Sequence, residues 1–257
     1  MQLYAVLESV QKYFINLNKI SVLYRADAEY TTAYDEVKAD FPQVSFVKQG
    51  SNPRNDFKPL MLSCIFDSPA KYILFAVDDV IVKDYVDAAE CVKALKDTKS
   101  YAFYLRLGTN VTTQYGQNIT AIVPGYESVN NDIIKFQFKK GKGDWAYPHS
   151  VDMTFFKKSK IAAFLKRGIY SSPNTFESQW SGTADLNQYG LCFKTSKIFT
   201  LPMNIVQQDF NAVCENVFTA EELLRKWQGS YKIDINQFYK IHNNCTFMGY
   251  KPQFISR

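Results

Sequence analysis

The chain has 257 residues, 30 basic side chains against 25 acidic ones and a net charge of +5, with 46% hydrophobic and 21% charged residues. This balance belongs to a globular protein and excludes a disordered chain, a collagen-like repeat and a disulfide scaffold. Aromatic residues reach 16%, enough for a large, ring-rich core.

Residues 1–17 place Leu3, Val6, Leu7, Val10, Phe14 and Leu17 at the spacing of an amphipathic helix. Residues 20–24 form a short apolar run bounded by polar residues, the pattern of a buried strand. Residues 30–40 read as helix, with Tyr30, Tyr34 and Val37 on one face and Pro42 as the stop. Residues 44–47 read as a second strand, 57–66 as a helix, and 72–77 as the strongest strand of the chain. A helix over 84–95 and a strand over 101–105 follow. Helices alternating with strands that are apolar throughout predict an α/β domain, a mixed and mainly parallel Rossmann-like sheet flanked by helices. In such sheets ligands lie beyond the carboxyl ends of the strands, here the loops after Tyr24, Val47 and Val77. A doubly wound domain opens on a strand, whereas this chain opens on a helix. Either its first strand is absent or another segment takes that place.

From about residue 108 Gly, Asn, Gln and Thr become frequent and helical periodicity is lost until residue 160. Strands are expected over 133–138, 152–156, 191–194 and 198–205, and a short helix over 160–167 before Gly168. Thr219 with Glu222 three residues on has capping-box spacing and starts a helix that runs to Gln228. No linker or internal repeat divides the chain, so 1–257 is read as one domain with an α/β half over 1–107 and a more irregular half over 108–257.

Several classes of function are excluded or unsupported. The basic run Lys139, Lys140, Lys142 lacks a binding motif and reads as a solvated loop, so no nucleic-acid partner is expected. The longest purely apolar stretch, 72–77, is far short of the ~20 residues of a membrane span, and no signal-peptide pattern opens the chain. Cys64, Cys91, Cys192, Cys214 and Cys245 are scattered singly, and only His149 and His242 are present. That argues against a zinc cage and an exported disulfide framework and favours a reduced, cytoplasmic protein. The sequons at Asn110, Asn118 and Asn244 match a pattern short enough to arise by chance.

The sharpest local feature is Asp78-Asp79 at the end of the strongest strand. Adjacent carboxylates at the end of a buried strand suffer repulsion and desolvation, and a divalent cation relieves both. Hard oxygen ligands select Mg²⁺, Mn²⁺ or Ca²⁺, and Mg²⁺ is commonly held by one or two carboxylates plus substrate phosphates. A solvated turn that stops the strand is the plainer alternative. The chain has no GxGxxG, GxxxxGK[ST] or GxSxG element, so dinucleotide-binding, P-loop and serine-hydrolase readings fail. A metal-held diphosphate is what remains.

An α/β half whose mid-chain strand ends in an acidic pair resembles the GT-A type of nucleotide-sugar glycosyltransferase. Val77-Asp78-Asp79-Val80 is similar to the Glu-Asp-Asp form of that superfamily's Asp-x-Asp motif, as in the N-acetylglucosaminyltransferase I type, with Val77 in place of Glu and Val80 in place of the second Asp. The chain also resembles small bacterial polysaccharide glycosyltransferases of the family 2 kind, through QLYAVLES at 2–9, VLYRA at 22–26, YLRLG at 104–108, GDWAYP at 143–148, PNTFE at 173–177 and PMNIVQ at 202–207. In those relatives a strand and an Asn-Arg-Pro turn precede the equivalent of Gln2, so the resemblance implies that the first strand is missing here. It further implies Asp79 as ligand of Mn²⁺ or Mg²⁺, Asp78 as ribose or outer-sphere group, and Glu177 as the acceptor-side base. The first half would then bind nucleotide and the second half donor sugar and acceptor.

Most other candidates carry two readings. Arg25 follows the first visible strand and contacts base or phosphate, or is a surface arginine. Arg106 lies in the YLRLG stretch on the nucleotide side. Asp144 and Trp145 have the form of a sugar site, a carboxylate for hydroxyls beside an indole for a pyranose face, or Trp145 plugs the core. Asp152 and His149 line the donor-sugar pocket or serve structure, and Asn204 and Gln207 approach the metal-diphosphate or merely end a strand. Glu177 is alternatively a salt-bridged or helix-starting residue.

The expected activity is transfer of a sugar from a nucleotide-diphosphate sugar to the hydroxyl of a saccharide or lipid-linked acceptor, in bacterial polysaccharide or glycoconjugate synthesis. A lipid-linked acceptor leaves room for peripheral membrane association without a transmembrane segment. Stereochemistry stays open. The alternatives are a non-catalytic nucleotide- or carbohydrate-binding protein and a sugar-phosphate nucleotidyltransferase, although the latter needs a Gly-rich basic loop after its first strand that is not present here.

Overall fold

A computed structural model describes residues 1–114, 119–204 and 217–257, Ile119 by its backbone only. The first half runs α1 (Gln2–Tyr13), β1 (Phe14–Ile15), β2 (Ser21–Tyr24), α2 (Thr31–Asp40), β3 (Ser45–Lys48), α3 (Pro53–Phe66), β4 (Tyr72–Phe75), β5 (Val80–Val82), β6 (Val86–Asp87), α4 (Ala88–Thr98) and β7 (Ala102–Tyr104). The second half runs β8 (Thr113–Gln114), β9 (Ile119–Thr120), β10 (Tyr126–Ser128), β11 (Ile133–Gln137), β12 (Thr154–Lys157), α5 (Lys158–Arg167), α6 (Pro173–Ser181), β13 (Tyr189–Phe193), β14 (Ile198–Thr200), α7 (Ala220–Gln228), β15 (Tyr231–Ile233) and β16 (Phe254–Ser256).

The fold is mixed α/β around a six-stranded sheet in the order β10-β11-β13-β7-β12-β4. Its direction differs from the expectation. Of its five pairings only β13 with β7 is parallel; β4 with β12, β12 with β7, β11 with β13 and β10 with β11 are antiparallel. The central strands β7 and β12 are buried almost throughout because both faces of the sheet are covered there, and that holds for either direction; the edge strand β10 is exposed. On β7, Phe103 enters one core with Val80, Leu105 and Leu191, while Ala102 and Tyr104 enter the other with Phe136, Phe156 and Trp180. The parallel pair β2–β3 stands as a separate ladder, with Ser21 opposite Ser45 and Tyr24 opposite Lys48. Among the described residues no strand pairs with the second edge of β4 or of β2.

Local chemistry explains the element ends. The first helix stops at Tyr13 rather than at 17, because Phe14 and Ile15 pair in parallel with Val86 and Asp87. Asn16 then takes φ 62°, a left-handed conformation that Asn tolerates. The helix expected from Asp84 starts at Ala88, capped by Asp87, whose carboxylate accepts from the Ala89 N–H at 2.8 Å; Asp84 instead pairs with Lys197 at 2.6 Å. The capping box on α7 forms as expected, Thr219 Oγ1 accepting from the Glu222 N–H and Glu222 accepting from the Thr219 N–H. Sequence patterning missed α6, which has Pro173 at its first position and a reciprocal Ser172–Thr175 box. Cys64, Cys91 and Cys192 are free thiols, and Cys214 lies outside the described residues. No helix among the described residues is long and apolar enough to cross a membrane.

Close ring packing generates a test of the core. A Cβ at Gly190 would stand 2.8–2.9 Å from the rings of Phe136, Phe138 and Tyr104. Gly190→Ala is expected to cost about 1–3 kcal/mol, read as a lower midpoint in urea unfolding.

Candidate active site

The chain leaves the sheet after Phe75 and re-enters a strand at Val80, so Asp78 and Asp79 occupy the turn between β4 and β5. The Leu201 N–H donates to the Asp79 carbonyl at 2.7 Å and pins this turn to the end of β14. Asp79 is half-buried; its carboxyl is pushed up to about 8 by burial first, then by Asp78 and Asp152. Burial also raises Asp78, against its own backbone N–H and the Met1 amine, yet the side chain is exposed. Asp78 thus reaches water while the protein around it disfavours its charge. Tyr34 faces the same place, its phenol raised to about 12 by burial and then by Asp78.

Arg106, 2% exposed in the loop after β7, meets this group of acids through Asp152. Nη1 donates to Asp144 Oδ1 at 2.5 Å, and Nη2 donates to the carbonyls of Asp144 and Tyr147, each at 3.1 Å. Asp144 lies in a single helical turn, Gly143–Ala146, and its Oδ2 accepts from Thr246 Oγ1 at 3.1 Å. Burial alone would lower the guanidinium's pKa; Asp144 and Asp152 more than offset it. Asp152 is half-buried and raised to about 6 by burial, with Arg106 pulling down and Asp144 pushing up. Glu177, on α6, is raised to about 7 by burial and then by Asp152, moderated by the Val151 N–H that donates to Oε1 at 3.1 Å and by the Tyr147 hydroxyl. A cavity of about 360 Å³ beside Glu177 is lined by Tyr147, Asn174, Glu177, Ser178 and Ser181. A second, of about 340 Å³, lies against α7 and shares no residue with it.

Asp78, Asp79, Asp152 and Glu177 therefore form one electrostatically linked chain of acids, which Arg106 and Asp144 join at Asp152. Two of these differ from their expected roles. Arg106 is enclosed, with both terminal nitrogens spent on Asp144 and Tyr147, and Asp144 has one oxygen on Arg106 and the other on Thr246. They hold the loop that carries Tyr147, and the one guanidinium nitrogen left without a partner, Arg106 Nε, is itself buried. Trp145 is fully buried, its Nε1–H donating to the Val111 carbonyl at 2.9 Å and its ring set edge-on to Phe136 at 4.8 Å. It plugs the core and presents no face to a ligand; Phe176 and Trp180 are core residues too.

His149 is a buried strap: Nδ1 lies 2.6 Å from the Trp180 carbonyl, Nε2 2.9 Å from the Tyr101 hydroxyl, and the ring stacks on Trp180. Arg25 is exposed and paired with Asp27 at 3.4 Å, outside the linked acids. Asn204 is half-buried, next to Met203, whose carbonyl accepts from Val217 and Phe218; Gln207 lies outside the described residues. Sequence reasoning missed Tyr34 and Ser181. Ser181 donates to the Glu177 carbonyl at 2.6 Å and pairs with the Tyr147 hydroxyl at 2.9 Å.

Among the described residues no group of three or more His, Cys, Asp and Glu is placed to hold a metal. The turn that carries Asp78 and Asp79 does offer what Mg²⁺ or Mn²⁺ uses when phosphates supply the other ligands, one or two carboxylates with uncompensated charge. No family model matches the chain, and no curated protein matches it.

The raised carboxyls set the sign of a pH effect. In the unfolded chain these acids titrate near 3.8 for Asp and 4.5 for Glu, against about 8, 6 and 7 for Asp79, Asp152 and Glu177 in the fold. Between those limits the native state binds more protons than the unfolded state, so stability falls as pH rises. Cation-free protein is expected to lose stability steadily from pH 5 to pH 8. Asp79→Asn should flatten the profile and stabilise the fold at pH 8 by at least ~1 kcal/mol, measured by urea unfolding.

Proposed function

We propose that this site transfers a sugar from a nucleotide-diphosphate sugar to an acceptor hydroxyl, in the manner of GT-A glycosyltransferases of polysaccharide or glycoconjugate synthesis. One observation carries this reading: an acidic pair in the turn after a sheet strand is linked through Asp152 to a glutamate whose carboxyl is raised to about 7. Asp79, with Asp78 beside it, would hold Mn²⁺ or Mg²⁺ on the diphosphate. A cation bound there supplies neutralisation of the charge that develops on the leaving nucleoside diphosphate. Asp152 lies between the acidic pair and Glu177 in the electrostatic chain and is the side chain suited to accept from donor-sugar hydroxyls. Glu177 accepts the proton of the attacking acceptor hydroxyl, which corresponds to an inverting reaction. Its Oε1 is held by the Val151 N–H, so the carboxylate is oriented before the acceptor arrives. The acceptor, a saccharide or a lipid-linked sugar, would enter through the cavity of about 360 Å³ beside Glu177.

Thermal stabilisation by UDP, GDP, CMP and dTDP, each with and without Mn²⁺, tests the donor side. At least one nucleotide should raise the melting temperature only with the cation, and Asp79→Ala should abolish that shift. No shift with any nucleotide would overturn the reading. For the base, Glu177→Gln should retain nucleotide binding and lose roughly 10²–10⁴-fold in kcat. The kcat of the parent enzyme should rise with pH through about 7 as Glu177 ionises.

A further inference from the structure

Between Asp152 and Glu177 the chain carries Lys157, Lys158, Lys160, Lys166 and Arg167 and no acidic residue. The first three crowd the start of α5, whose first turn contains no acid. Cations there face the positive end of the helix dipole, so helix stability does not account for them. Contacts extend the charge over neighbouring elements. The Lys158 N–H donates to the Lys71 carbonyl at 2.9 Å, its Nζ donates to the carbonyls of Ile65 and Ser68, and Lys160 Nζ reaches those of Lys99 and Ser100. Lys71, Lys99, Lys157, Lys160, Lys166 and Arg167 are exposed. The partners of Lys58, Lys158, Lys160 and Lys166 are carbonyls and aromatic rings, not carboxylates. Burial, and then the charge of Lys157, depress the Lys160 ammonium. Asp67 adds one acid to this face, bonded to Ser63.

An isoleucine stands at the end of this basic face. Ile169 is 87% exposed, beyond every other exposed large hydrophobic side chain described. Its loop is fixed: Lys58 Nζ donates to the carbonyls of Lys166 and Gly168 at 3.0 and 2.6 Å, the Gly168 N–H to Phe164 O at 2.8 Å, and the Tyr170 hydroxyl to Leu165 O at 2.5 Å. A pinned backbone thus holds an aliphatic side chain out in water beside uncompensated cations.

We propose that this face docks on an anionic phospholipid bilayer, with the cations among the headgroups and Ile169 at the acyl boundary. Charge complementarity selects an anionic partner. The protruding isoleucine selects a bilayer over a nucleic acid, whose phosphate backbone rewards cations alone. Pro173 begins α6 directly after this loop, so docking brings the segment leading into the helix that carries Glu177 to the membrane surface. The docking stands whether or not the site transfers sugars, because its test reads binding and not turnover.

The test is co-sedimentation of the full chain with phosphatidylcholine vesicles, with and without phosphatidylglycerol. Binding is expected only to the anionic vesicles and weakens with salt. The double variant Lys166→Gln, Arg167→Gln should lose about 30-fold in affinity, at about 5-fold per cation. Ile169→Ser should lose affinity several-fold with unchanged salt dependence, and the fluorescence of Ile169→Trp should shift to the blue on anionic vesicles. All these positions are exposed, and an unchanged melting temperature verifies the fold. Equal binding to neutral vesicles would overturn the proposal. So would undiminished binding by Ile169→Ser, and so would an unshifted Trp spectrum accompanied by equally tight binding to duplex DNA.

Discussion

A guanidinium with almost no access to water holds one side of the candidate site in place. Arg106 bonds to the side chain and carbonyl of Asp144 and to the carbonyl of Tyr147, and so fixes the loop that carries Tyr147 against α6. Tyr147 meets Ser181, Ser181 bonds to the Glu177 carbonyl, and the Val151 N–H holds the Glu177 carboxylate. His149 adds a second tie from the same loop to the end of α6. A buried charge of this kind contributes little net stability against an apolar isostere, but loss of one partner leaves the other uncompensated. Its contribution is to hold one geometry.

The same cation leaves the site electrostatically unfinished. Arg106 offsets Asp144 and part of Asp152, but not Asp78 or Asp79, whose carboxyls remain raised with no side-chain cation among their causes. Placing repelling acids where their ionisation opposes folding is a cost that a fold tolerates at a functional site. A cation and a polyphosphate would remove that cost, which makes ligand binding and stability one linked equilibrium. The basic face over α5 has the opposite sign and the same logic, charge placed where the fold itself gains nothing from it.

Much of this was legible in the sequence, for reasons that differ by residue. The Thr219–Glu222 box is local chemistry, and it formed as read. Asp78-Asp79 was visible because two acids ending an apolar run are unusual whatever the sheet direction. The direction was not visible. Phe103 and Tyr104 enter opposite cores, and an unbroken apolar run reports burial on both faces, which antiparallel and parallel strands share. Pro173 helix entry was missed because its reciprocal cap partner is Thr175 rather than Glu or Gln. Trp145 reads as a sugar platform in a Gly-containing loop, but its environment is made by Val111 and Phe136, which only tertiary packing brings near. Arg106 and Asp144 were identified as charged candidates; that they satisfy each other depends on two loops 38 residues apart meeting.

A cation that binds at Asp78 and Asp79 should displace protons from these raised carboxyls into the buffer. Calorimetric titration of Mn²⁺ with a stabilising nucleoside diphosphate, repeated at pH 7 in buffers of different ionisation enthalpy, counts those protons. The parent protein should release about one proton more per bound cation than Asp79→Asn does. Equal proton release from the two proteins at equal affinity would contradict the assignment of Asp79.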